Sequence, residues 1–152
     1  MRHRIVLGRL IAVLLFAFSL PLAAQQFEQV GDYQIHYSAV NTSFLSEDIA
    51  RAHDIPRNAA MALLNVSVLE ERDDGTTRPV TAQVDGRVGG LDSEDGEPLT
   101  FRTLRDGEGV VSQIAVFRIH ADAPMRFDLD VRYDRNAEPA EVSFIQRFYI
   151  ER

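Results

Sequence analysis

The nine residues Arg126–Asp134, R-F-D-L-D-V-R-Y-D, constrain the fold more than any other stretch. Phe127, Leu129, Val131 and Tyr133 alternate with Arg126, Asp128, Asp130, Arg132 and Asp134. Side chains along a strand point to opposite faces with a period of two, so this segment reads as a strand with one wholly apolar face and one wholly charged face. A helix would mix the two sets. An antiparallel sheet with one face on a core and the other in water accommodates the pattern.

The same alternation recurs along most of the chain. Tyr33, Ile35 and Tyr37 alternate with Gln34, His36 and Ser38 after a turn at Gly31-Asp32. Ala60–Glu71 is apolar on both faces, which predicts a strand inside a sheet rather than at its rim. Asp73-Asp74-Gly75 is a hairpin turn, and Arg78–Val88 returns as a single strand with Val80, Ala82 and Val84 inward. Further strands are predicted over Leu99–Leu104, Val110–His120, the segment described first, and a last one with Val142, Phe144, Phe148 and Ile150 on its inner face. The predicted core face of Val110–His120 carries Val111, Ala115, Phe117 and Ile119. One short helix is expected near residues 46–54. Ser46 caps it, Glu47 and Asp48 occupy its first turn, Ile49, Ala50 and Ala52 face inward, and Pro56 ends it. About seven strands separated by turn signals, with one helix, predict an all-β antiparallel two-sheet sandwich of immunoglobulin-like kind, with a closed barrel as the alternative.

Residues 1–24 read as an address. Arg2, Arg4 and Arg9 precede the apolar run Leu10–Leu20, Pro21 breaks it, and Leu22-Ala23-Ala24 offers small residues for cleavage after Ala24. A membrane anchor needs roughly 20 apolar residues, and Gln25 and Gln26 arrive before that. Cleavage and a periplasmic destination are therefore expected, with 25–152 forming one domain and leaving no membrane span.

Composition narrows function mostly by exclusion. Cleavage removes three arginines and no acid, leaving 13 basic against 23 acidic residues and a net charge of −10. That balance disfavours nucleic acid and anionic membrane surfaces as partners. The chain has no cysteine and no lysine, so thiol nucleophiles, cysteine-ligated zinc, Schiff-base lysines and phosphate-loop lysines are all excluded.

Candidate chemistry is sparse. Asp92, Glu94, Asp95 and Glu97 share a glycine-rich loop, but without calcium-loop spacing it reads as a solvated acidic loop. His36, His53 and His120 stand far apart and outside metal-binding spacings. None of Ser43, Ser67, Ser112 or Ser143 sits in a nucleophile-elbow motif. The segment Asn41–Leu45 mixes amide and hydroxyl groups with Phe44 and Leu45, and loops on rigid scaffolds often carry function. Ile145 and Tyr149 interrupt the otherwise polar outer face of the last strand. Asn41, Ser43, Phe44, Leu45, Ile145 and Tyr149 are therefore the candidate interaction surface, with no catalytic residue, metal or cofactor assigned.

Gly31-Asp32-Tyr33, His36-Tyr37, Asn41-Thr42-Ser43-Phe44-Leu45 and Asn65-Val66-Ser67-Val68-Leu69 resemble a family of small proteobacterial periplasmic proteins known as domain of unknown function 4426. The resemblance spans nearly all of the mature chain. It implies an exported single β-sandwich and carries no activity and no catalytic residue. The expected function is a non-catalytic periplasmic module that binds a protein or an envelope component. A small-molecule or metal-ion binding domain is the alternative, and a hydrolase with an unrecognised site ranks third.

Overall fold

Met61–Glu71 forms the long strand around which the first sheet is laid down. In the computed structural model, which describes residues 26–92, 96–120 and 123–150, the strands in chain order are β1 (Gln26–Val30), β2 (Tyr33–Asn41), β3 (Met61–Glu71), β4 (Thr77–Val80), β5 (Gln83–Gly90), β6 (Glu97–Pro98), β7 (Arg102–Arg105), β8 (Val111–Arg118), β9 (Pro124–Arg132) and β10 (Ala140–Arg147). One sheet runs β1-β2-β3-β8-β7, with β4 also on β3, and the other runs β10-β9-β5-β6. All the pairings are antiparallel. The two sheets face each other across one apolar core, so the structure is a sandwich and not a barrel.

β3 is central, as its two apolar faces require. β2 pairs along one edge from Ala62 to Glu70. The other edge is shared: β8 takes Met61–Val66 and β4 takes Val68–Glu71. The turn into β4 uses Gly75 at φ +85°, a left-handed conformation that glycine adopts without steric cost. Asp74 accepts hydrogen bonds from the Thr76 N–H and hydroxyl at 2.9 and 2.6 Å.

The Phe127 face of β9 is the centre of the core. Phe127 is fully buried and stacks on Phe144 of β10 with centroids 4.5 Å apart and 7° between planes. Phe117 of β8 meets it edge-on at 5.2 Å. Leu129, Val131 and Met125 are buried beside it, while Arg126, Asp128, Asp130 and Arg132 face solvent. A second, smaller cluster lies on the outside of the larger sheet, where Ala50 and Ile55 pack on Leu63 and Ile114.

Three details depart from the expectation. The predicted single strand Arg78–Val88 is two: β4 stays in the larger sheet, Thr81-Ala82 crosses the core edge, and β5 joins the smaller one. The alternation of Val80, Ala82 and Val84 persists through the crossing because inward means the same core from either sheet. The strand predicted from Leu99 begins at Arg102, since Leu99–Phe101 spans from the smaller sheet to the larger. The helix, α1 (Glu47–Ala52), is capped by the Ser46 hydroxyl, which accepts from the Ile49 N–H at 3.2 Å. Ala50 is buried, but Ile49 and Ala52 are exposed. A six-residue helix laid on a sheet turns only a narrow stripe inward.

Candidate functional site

The two ends of the candidate surface meet where β10 closes on β2. β1 pairs with β2 only from Tyr33 to Tyr37, so the backbone of Ser38–Asn41 faces no further strand on that side among the described residues. Side chains close the gap. Gln146 Nε2 donates to the Ala39 carbonyl at 2.9 Å, and Asn41 Nδ2 donates to the Tyr149 carbonyl at 2.8 Å. Asn41 is thereby buried and ties the sheets together; it is not part of the surface.

A short 3-10 turn, Thr42–Phe44, follows. Thr42 is fully buried, its hydroxyl donating to the Asn58 carbonyl at 3.0 Å and accepting from the Asn58 N–H at 2.9 Å. Arg57 donates to the Ser43 carbonyl at 3.3 Å and pairs with Glu47 at 3.4 Å. Ser43 is half-buried, and Leu45 packs against the cluster under α1. Phe44, held by this frame, is 67% exposed. Across the seam, Ile145 is 58% and Tyr149 65% exposed, and Val40 and Ile49 are exposed as well. Singly scattered apolar residues need no explanation. Val40 and Ile145 lie on the strands that these hydrogen bonds join, each on the outer face of its own sheet, with Phe44 just past β2 and Tyr149 just past β10.

Beneath the seam the chemistry is that of a core. Tyr37 stacks on Phe144 at 4.7 Å. Burial raises its phenol above the ordinary value, and the Glu28 carboxylate adds to the shift. Tyr33 packs against Tyr133 at 4.5 Å and is shifted the same way, by burial first and then by Glu70 and Asp134.

The other candidates do not converge. His36 stacks on Phe27 and contacts Gln34 at 3.0 Å, His53 caps the end of α1, and His120 is exposed. Ser67 and Ser112 share a hydrogen bond at 3.0 Å, and Ser143 donates to Asp128 at 2.7 Å. None of the four serines is bonded to a histidine among the described residues, where no group of three or more His, Asp or Glu side chains is close enough to hold a metal. In the acidic loop Glu94 and Asp95 lie outside the described residues, as does the predicted leader, residues 1–24. No helix among the described residues is long and apolar enough to cross a membrane.

Two depressions were not anticipated. One, of about 630 Å³, opens between the sheets beside β5. The other, of about 590 Å³, lies on the outer face of the smaller sheet. There Asp85, Asp130 and Glu141 stand directly opposite one another on three adjacent strands, in a row that only the strand register creates.

These features define an all-β sandwich domain whose two sheets are joined at one edge by side-chain hydrogen bonds from Gln146 and Asn41. The chain belongs to the family described as Domain of unknown function (DUF4426), which it matches over residues 27–151. A crystal structure of a DUF4426 family protein from Pseudomonas aeruginosa PAO1 is similar, with 27% identity, a TM-score of 0.70, and coverage of 87% of this chain and 100% of that one. FetP of uropathogenic E. coli strain F11, crystallised after recombinant expression in the periplasm, shares the fold at 10% identity and a TM-score of 0.59, over 83% of this chain and 94% of its own. No curated protein matches the chain.

Proposed function

We propose that the protein is a non-catalytic, exported β-sandwich module that holds an apolar surface of another periplasmic protein against the β2–β10 seam. The observation that carries this reading is the exposure of Phe44, Ile145 and Tyr149 on a backbone fixed by the Gln146–Ala39 and Asn41–Tyr149 hydrogen bonds. Rigid aromatic anchors surrounded by polar groups are what protein interfaces are built from. The signal-like residues 1–24 support export. The edge of β2 is capped by side chains, so recognition here runs through side chains rather than through an added strand.

A photoreactive residue placed at 44 or 149 of the full chain in the bacterial periplasm tests this. Adducts of discrete mass are expected at both positions, none are expected at the exposed control Arg105, and Ile145→Asp should abolish them. Equal labelling at all three positions, or none at all, would overturn the reading. An adduct of twice the chain mass would replace the foreign partner with a second copy.

A further inference from the structure

β5 loses its second neighbour halfway along. β6 pairs with it only at Arg87 and Val88. The Leu99 N–H then donates to the Gly86 carbonyl at 2.8 Å, and the chain departs for the larger sheet. At its other end β5 is reached by the crossing at Thr81-Ala82. Between the two crossings no strand among the described residues lies on this side of Gln83–Asp85. Backbone groups two residues apart on a strand point the same way. Since the Gly86 carbonyl points toward Leu99, the N–H and C=O of Val84 point into the same gap.

That gap is the inter-sheet cleft of about 630 Å³, within the range of roughly 300–1,000 Å³ typical of ligand sites. Gln113 of β8 lies in its wall, only 7% exposed and on the inward face opposite Val66. Its Nε2 donates to Thr103 Oγ1 at 2.8 Å. Its Oε1 accepts no hydrogen bond from the described residues. Facing the cleft, that oxygen is open to a donor placed there.

We propose that the cleft binds an extended peptide segment, which adds to β5 as a short strand paired with Val84. The paired donor and acceptor of Val84 match another peptide group, as in other cases of strand addition. The segment's residue opposite Val84 turns its side chain inward, toward Gln113, where serine, threonine, asparagine or glutamine can donate to its free oxygen. Its neighbours turn outward beside Asp85, which favours arginine or lysine. Three such residues span about 10 Å. This site is separate from the seam, and either stands if the other fails.

The test is a selection of displayed random heptapeptides on the full chain, followed by titration of the consensus peptide into isotope-labelled protein. The expected result is a basic residue next to a hydroxyl or carboxamide residue, with the largest shifts at Val84 and at the Gln113 side-chain amide. Exchange of the Val84 amide should slow at least tenfold at saturation. Gln113→Leu should weaken binding more than fivefold, and Phe44→Ser should leave it unchanged. If Gln113→Leu does not fold, Asp85→Arg reads the same site by reversing the preference to acidic residues. No enriched peptide, or binding that leaves Val84 exchange unchanged, overturns the proposal.

Discussion

Replacing Phe127 by alanine tests the core at its centre. The side chain is fully buried, stacked face to face on Phe144 at 4.5 Å and met edge-on by Phe117 at 5.2 Å. Deleting a buried phenylalanine costs about 3–5 kcal/mol, the spread reflecting how far the site collapses. Here the stacked partner comes from β10 in the same sheet and the edge-on partner from β8 in the opposite one, so collapse would have to move both sheets. The loss should therefore fall near the middle, about 4 kcal/mol, out of a total stability of about 5–15 kcal/mol for a domain. At about 4 °C per kcal/mol for a domain of this size, the Tm should drop by about 16 °C. The neighbouring Asp128→Ala is the control. Its pairing with Arg126 at 3.2 Å and its bond from Ser143 are both exposed, so it should cost no more than about 1 kcal/mol. Urea and thermal unfolding followed by circular dichroism give both numbers. A Phe127→Ala loss under about 2 kcal/mol, or an equal loss for Asp128→Ala, would refute the two-faced reading of β9.

Gly86→Ala should destabilise by about 1–3 kcal/mol, because its Cβ would lie 2.5 Å from Leu129 Cδ2 and 2.9 Å from the Asp128 carbonyl oxygen; a lower urea midpoint with an unchanged slope would show it. Asp130→Arg should stabilise by roughly 0.2–1 kcal/mol per converted pair, since it replaces two like-charge neighbours, Asp85 and Glu141, with opposite-charge ones. Added salt should raise the melting temperature of the wild type more than that of this variant. Tyr37 and Tyr33 have native pKa values raised above 10.0. Their contribution is therefore fully present below about pH 10 and is lost as pH climbs through the raised native values. Tyr37→Phe should flatten that alkaline decline, and a decline of unchanged steepness would show that burial of this phenol is not its cause.

The parts of this fold that alternation can specify were legible in the residues. Phe127, Leu129 and Val131 are interior and their charged neighbours are not. β3 is central because Leu63 and Leu64 both needed cover. Ser46 is a cap because a hydroxyl two or three residues ahead of free N–H groups is one. What the pattern could not carry is which sheet a strand belongs to. Val80, Ala82 and Val84 keep their phase while the chain changes layers, so the crossing leaves no trace in the alternation. Register is equally silent: nothing in Asp85, Asp130 or Glu141 alone sets them side by side. Asn41 looked like a surface group because its partner, the Tyr149 carbonyl, is 108 residues away. Gln113 did leave a signal, as a carboxamide at an inward position among Val111, Ala115, Phe117 and Ile119, and that interruption marks the cleft.

The chain passes between the layers three times, after β4, after β6 and after β8. Neither layer is therefore one contiguous length of polypeptide. The larger sheet is incomplete until β8 arrives, and the smaller has no centre until β9 does. A polypeptide delivered amino end first would remain pliable until nearly its whole length was free, and would then set as one block. Entry into a new compartment as an unfolded thread suits such a weave, and local fraying of either layer once it has set does not.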